Sequence, residues 1–240
     1  MTQRDPALRA LIVLPTYNEW NNLQPMVEAI FDVGPFDILV VDDNSPDGTG
    51  RLADRLAEKY PERLHVLHRA VKEGLGKAYL SGFAWGLGRD YDLLFEMDAD
   101  FSHDPRHLPQ FINRIREGAD AVLGSRYVPR GGTRNWSLAR RMISRGGSLY
   151  ARTILGLPIH DLTSGFKCFR RTALESLDLE NIGSNGYGFQ IEVTYRLYKS
   201  GLKIVETPII FVDRRVGQSK MSRNIVLEAM LMVWKIRLWG

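Results

Sequence analysis

Short apolar runs bounded by turn residues punctuate the first half of the chain. They are Ala10 to Pro15, Phe36 to Val41, Leu64 to Leu67, Leu93 to Met97 and Ala121 to Leu123. Such continuous runs fit strands buried on both faces. Helical spacing fills the gaps. Leu23 to Phe31 has apolar residues at 23, 26, 27, 30 and 31, and Thr49 to Tyr60 follows a Pro46-Asp47-Gly48 turn. Gly76 to Gly88 and Leu108 to Glu117 continue the pattern. Strand and helix in alternation predict an α/β fold, with a mostly parallel sheet and helices on both faces. Ligands in such sheets sit at the carboxyl ends of the strands.

The second half is less regular. Ser137 to Leu155 reads as a helix capped by Ser137, and Gly188 to Ser200 as another. Leu202 to Val212 reads as a strand pair, or as one strand bent at Pro208. Asn224 to Trp239 reads as a final helix, rich in Leu, Met, Ile and Trp and carrying Lys235 and Arg237. With no repeat or linker visible, residues 1–221 are expected to form one domain. Residues 222–240 would add an amphipathic helix suited to a lipid interface or a partner protein.

Composition adds bounds. The 240 residues are 44% hydrophobic and 25% charged, an ordinary globular balance. A lone cysteine, Cys168, excludes an intrachain disulfide and fits a reducing compartment. No targeting segment or membrane-length apolar run is expected. Net charge is +4, unevenly spread. Arg126 to Arg145 holds six arginines and no acid, and 213–240 carries a further +4, so the rest of the chain is acidic at −6. Localised anion sites fit this better than a generally basic surface. The basic stretches lack a groove-reading motif, which argues against a nucleic-acid partner.

Candidate chemistry gathers at the strand ends. Glu96-Met97-Asp98-Ala99-Asp100 follows the run Leu93 to Phe95. In an extended segment Asp98 and Asp100 point the same way, a hard oxygen pair suited to Mg²⁺ or Mn²⁺ with water and phosphate completing the shell. For so short a motif standing alone a solvated acidic turn is the stronger reading, and spacing alone does not decide. Val41-Asp42-Asp43 leads into a turn whose capping explains 44–49 but not two adjacent acids. Pro15-Thr16-Tyr17-Asn18-Glu19 offers an aromatic ring for a base and a carboxylate. Gly74-Leu75-Gly76-Lys77-Ala78 is neither a P-loop nor a dinucleotide fingerprint, though Lys77 and nearby N–H groups suit a phosphate.

Taken together, these segments resemble the GT-A glycosyltransferases of inverting family 2, and most closely its dolichol-phosphate (polyprenyl-phosphate) mannose synthases. The likeness extends through Gly124-Ser125-Arg126-Tyr127, Asp161-Leu162-Thr163-Ser164-Gly165-Phe166 and Gly217-Gln218-Ser219-Lys220, so it spans about residues 11 to 221. It implies a Rossmann-like GT-A sheet and transfer of mannose from GDP-mannose to a polyprenyl monophosphate, with inversion. Pro15, Tyr17, Glu19, Val41, Asp42 and Asp43 would hold the guanosine. Asp98 and Asp100, with Ala99 between them, would meet the metal and diphosphate. Ser102 stands where some relatives carry a glutamine ligand. Arg126, Arg140 and Ser144 would hold the acceptor phosphate, and Arg214 and Lys220 a loop closing over the donor. The place implied is cytoplasmic, peripheral at the membrane face, against the lipid or a membrane-protein partner.

A phosphate acceptor is already largely a dianion at neutral pH and needs no general base. An arginine-rich, acid-free segment suits it. A hydroxyl acceptor would require a base, for which Asp161 is the candidate, although a turn aspartate bonding its own backbone explains Asp161 as well. Two other functions remain open: a transferase using UDP-glucose or another nucleotide sugar, and a non-catalytic sugar-nucleotide binding module.

Overall fold

A computed structural model of the protein describes residues 8–213 and 223–239. In chain order its elements are β1 (Ala10–Thr16), α1 (Trp20–Val33), β2 (Phe36–Asp42), α2 (Thr49–Lys59), β3 (Leu64–His68), α3 (Leu75–Leu87), β4 (Leu93–Glu96), α4 (Leu108–Arg116), β5 (Ala121–Ser125) and β6 (Gly132–Arg134). Then come α5 (Leu138–Leu155), β7 (Lys167–Arg170), α6 (Arg171–Glu175), α7 (Gly186–Lys199), β8 (Ile204–Pro208), β9 (Ile210–Val212) and α8 (Arg223–Trp239).

Seven strands form one sheet in the order β3-β2-β1-β4-β7-β5-β8. All its pairings are parallel except those of β7, which enters antiparallel between β4 and β5. The apolar runs explain the centre. Alternate residues of a strand face opposite ways. Ile12, Leu14, Ile38, Val40 and Phe95 enter one core with α1, α2 and α4. Leu11, Val13, Leu39, Val41 and Leu94 enter a second core with α3 and α7. Both faces are covered, so neither alternate set is polar.

Helix α3 lies unusually close to the sheet. A Cβ at Gly82 would stand 2.3 Å from Val13 Cγ1, and one at Gly86 2.6 Å from Leu94 Cδ2. Only glycine allows that approach. The stretch 202–212 proves to be two strands that do not pair with each other. β8 joins the main sheet beside β5, while β9 pairs with β6 in a small parallel sheet. A third core joins α5, α7 and α8, with Val233 and Ile236 of α8 buried against Ala151, Leu155 and Tyr195.

Candidate functional site

The carboxyl ends of β2, β1 and β4, adjacent in the sheet, open on a pocket of about 240 Å³. Its lining brings together Pro15, Thr16, Tyr17, Glu19, Asp43, Asp98, Ala99 and Asp100 from the strand-end loops, with Lys72, Leu75 and Ala78 from the segment that opens α3. Each strand-end loop turns through a left-handed residue: Asn18 (φ 63°), Asn44 (φ 55°) and Phe101 (φ 62°). Asparagine adopts this conformation readily, whereas phenylalanine does so at a cost, and Phe101 directly follows Asp100.

The two acids after β2 part company. Asp42 turns into the loops, where its carboxylate accepts from Thr16 Oγ1 (3.0 Å), Ser45 N (3.0 Å) and Ser45 Oγ (2.6 Å). Asp43 faces the pocket and accepts from Arg69, a nearly buried guanidinium. Burial pushes the Asp43 carboxyl above its usual range, while Arg69 and Lys72 pull it down. The Lys72 ammonium lies 3.5 Å from the centre of the Tyr17 ring and covers one of its faces. Glu19 begins α1, where its carboxylate accepts from Asn22 Nδ2.

Strand β4 ends at Glu96, so Asp98 and Asp100 lie in a bend beyond it rather than on an extended segment. Simple strand alternation therefore does not orient them, yet both line the same pocket. Asp100 is almost fully buried and accepts from Ser102 N (3.0 Å). The hydroxyl of Ser102 is buried beside it with no hydrogen-bond partner. The Asp98 side chain is 25% exposed. Its backbone N–H donates to His103 Nδ1 (3.2 Å), and its Oδ1 accepts from the Tyr79 hydroxyl (3.1 Å). Burial, with the charges of Asp98, Glu96 and Asp100, pushes the Tyr79 phenol well above its usual value. Below this bend Glu96 pairs in register with Lys167 of β7, and both are fully buried. Burial pushes Glu96 up to about 7 and Lys167 down to about 8. Lys167 donates to the Gln190 carbonyl and to Thr194 Oγ1.

Among the described residues, no cluster of three His, Cys, Asp or Glu side chains is placed to hold a metal ion. Two carboxylates at a pocket wall, with an unsatisfied hydroxyl next to one, suit a cation whose shell is completed by water and a ligand's phosphate.

Arg126 follows β5 and is 5% exposed. It is held on several sides. Its backbone N and Nε donate to Asp161 Oδ2 (2.9 and 2.7 Å), and Nη2 donates to Asp161 Oδ1 (2.6 Å) and Thr163 Oγ1 (2.8 Å). Asp161 itself has no exposed surface. It is thus neither placed as a base nor bonded to its own backbone alone. It neutralises Arg126, raising the guanidinium's pKa against the opposing effect of burial. Arg126 lines a second cavity of about 370 Å³ with Tyr127, Gly132, Thr133, Leu138, Arg141, Met142 and Arg145. Arg140 does not line this cavity. It pairs with Asp213 (2.8 Å) and stacks on Trp136 (4.1 Å). Ser144 accepts from the Tyr127 hydroxyl (2.6 Å). The segment that is acid-free in sequence therefore draws acids from elsewhere in space. His103 and Phe211 stand between the two linings: the His103 ring accepts from the Asp98 N–H, and Phe211 lies 5.4 Å from that ring and 5.5 Å from the Arg126 guanidinium.

Some sequence-predicted residues fall apart from these cavities. Val41 is in the apolar core, and Lys77 is exposed on the first turn of α3 outside the pocket lining. Arg214 and Lys220 lie outside the described residues. Conversely, sequence reasoning passed over Arg69, Lys72 and Tyr79, and from the arginine-rich segment it singled out Arg126 and Arg140 rather than Arg141 and Arg145. Arg69 and Lys72 sit in an ordinary polar loop after β3, and Tyr79 carried no signal beyond standing where a fingerprint glycine would be.

The sequence pattern of glycosyl transferase family 2 matches residues 11–178. The chain belongs to that family and is a glycosyltransferase. Polyprenol monophosphomannose synthase of Mycolicibacterium smegmatis is 49% identical over 98% of this chain and 88% of its own length. Undecaprenyl-phosphate mannosyltransferase of Micrococcus luteus is 50% identical over 97% of this chain and 94% of its own length. Among solved structures, the fold matches that of glucosyl-3-phosphoglycerate synthase from Mycobacterium tuberculosis bound to Mn²⁺, UDP and glucosyl-3-phosphoglycerate, with a TM-score of 0.67, 20% identity and coverage of 97% and 79% of the two chains. It also matches a mannosyltransferase from Pyrobaculum calidifontis bound to GDP-mannose and Mn²⁺, with a TM-score of 0.67, 18% identity and coverage of 98% and 66%. At these identities the structural likeness is one of fold.

Proposed function

We propose that this chain transfers mannose from GDP-mannose to a polyprenyl monophosphate. The observation that carries the reading is a pair of unlike cavities linked through His103 and Phe211. One, at the strand ends, combines an aromatic ring with carboxylates, and the other is lined by arginines and apolar side chains. Two relatives of about half identity, named for mannose and polyprenyl phosphates, support the sugar and the acceptor, and a structural neighbour bound to GDP-mannose supports the donor.

In this reading Tyr17 presents its ring to the base, and Asp43, fixed by Arg69, accepts hydrogen bonds from the base or ribose. Glu19 stands beside them. Asp98 and Asp100 hold a divalent cation against the diphosphate, with Ser102 next to Asp100. When bound, that cation offsets the charge that develops on the departing nucleoside diphosphate. Arg126, with Arg141 and Arg145 around the same cavity, positions the acceptor phosphate. Asp161 tempers the charge of Arg126, so the phosphate is oriented without its nucleophilicity being fully quenched. No base is needed, because the phosphate is largely ionised at neutral pH.

The test is product analysis with purified protein, Mg²⁺ or Mn²⁺, labelled GDP-mannose and a short polyprenyl phosphate. A lipid-linked mannose is the expected product, and UDP-glucose should give none. Turnover of UDP-glucose with no turnover of GDP-mannose would overturn the donor assignment.

The acceptor's lipid must also be met. No helix among the described residues is long and apolar enough to cross a membrane. However, α5 exposes Leu138, Met142 and Leu149 at helical spacing, beside exposed Arg141 and Arg145. Packed against it, α8 exposes Leu231, Trp234 and Leu238 beside Lys235 and Arg237. Apolar stripes with basic neighbours suit the interface of an anionic bilayer. Co-sedimentation with anionic vesicles is expected, weakening at high salt and in Trp234→Ser/Leu238→Ser. Equal sedimentation of the wild type and that variant would remove α8 from the surface.

A further inference from the structure

We infer that Tyr79 is a positioning residue for the cation site: its hydroxyl holds the Asp98 carboxylate in the orientation from which it acts with Asp100. This rests on the reading of Asp98 and Asp100 as cation ligands. Tyr79 is fully buried on the sheet-facing side of α3. Its ring lies in a stack of three, with Phe83 at 6.2 Å and 23° and Phe189 of α7 at 6.1 Å and 6°. A phenylalanine would fill that stack equally well, so packing does not account for the hydroxyl. The hydroxyl donates to Asp98 Oδ1 at 3.1 Å. A phenol carries its proton at neutral pH, which fixes it as the donor to a carboxylate.

The placement matters because Asp98 sits beyond the end of β4, just past the Met97 N–H that donates to the Val13 carbonyl (3.3 Å). The His103 imidazole, stacked on Phe166, accepts from its backbone N–H. Tyr79 fixes its side chain. A ligating carboxylate held by such a partner loses less freedom on taking up a cation, and removal of the partner typically weakens the metal about 10- to 100-fold. The same helix also sends Leu75 and Ala78 into the pocket wall. One rigid element thus lines the nucleotide's path and orients the carboxylate.

The experiment uses Tyr79→Phe in the full chain. Mn²⁺ binding is measured by electron paramagnetic resonance with GDP present, together with GDP binding and thermal unfolding in EDTA. The expected result is a Kd for Mn²⁺ raised about 10-fold or more, with GDP binding and unfolding in EDTA close to wild type. At saturating Mn²⁺ most of the turnover should return. Unchanged Mn²⁺ affinity would overturn the inference while leaving the cation site intact. So would a variant that unfolds or loses GDP binding in EDTA, since the hydroxyl would then serve the fold. Failure of the wild type to bind Mn²⁺ would instead sink the cation reading of Asp98 and Asp100, and the inference with it.

Discussion

Asp100→Asn should reduce transfer by three to four orders of magnitude, roughly 4–5 kcal/mol at the barrier, while leaving the fold stable. Asp100 is nearly buried and has a local duty, accepting the backbone N–H of Ser102. Asparagine retains an acceptor for that bond, so the loss isolates the charge. A bound cation is what the second carboxylate serves in the proposed reaction, and a neutral amide oxygen attracts it far less. Treating the wild type with EDTA should cost a similar factor, and EDTA should cost the variant little more. Rate measurements at several Mn²⁺ concentrations check both. Near-normal activity in Asp100→Asn, or an EDTA effect that multiplies with the mutation, would place the cation elsewhere.

Much of the fold was legible because its physical cause is local. The runs at 10–14 and 38–41 are apolar without alternation since β1 and β2 feed two cores at once. Strand β7 was missed for a related reason. It is Lys-Cys-Phe-Arg, four residues with charged ends, and it lies antiparallel between strands remote in sequence. Its central position buries Lys167, whose charge the carboxylates of Glu96 and Asp161 offset and whose hydrogen bonds go to the Gln190 carbonyl and Thr194 Oγ1.

The candidate site divides along the same line. Strand-end loops bring Pro15, Tyr17, Glu19, Asp43, Asp98 and Asp100 together because parallel neighbours share their carboxyl ends. That inference needs only the strand pattern and the topology rule. The partners that tune these residues are non-local: Arg69 for Asp43, Tyr79 for Asp98, Asp213 for Arg140. Adjacent Asp42 and Asp43 looked equivalent in sequence, yet one joins the loop network and the other the pocket. Likewise, the uninterrupted positive charge of 126–145 suggested unpaired arginines, whereas tertiary contacts supply two of them with carboxylates.

The pairing of Arg126 with Asp161 yields the second large effect. Asp161→Ala should destabilise the protein by about 3–5 kcal/mol, because it leaves a buried guanidinium without its counter-charge. For a chain of this size that is a fall on the order of 10 °C in Tm. Were Asp161 a general base, the signature would differ: stability would be nearly kept and kcat alone would fall. Three bonds argue for the structural cost, since the carboxylate receives Nε, Nη2 and the backbone N–H of Arg126. The double variant Arg126→Met/Asp161→Leu separates the roles further. Removing both charges relieves the unpaired ion, so stability should largely return relative to Asp161→Ala. Transfer should not return, since the acceptor phosphate has lost its buried arginine. Thermal unfolding and acceptor-dependent rates measured on all three proteins test this. A stable Asp161→Ala with a selective loss of kcat would reinstate the base and with it a hydroxyl acceptor.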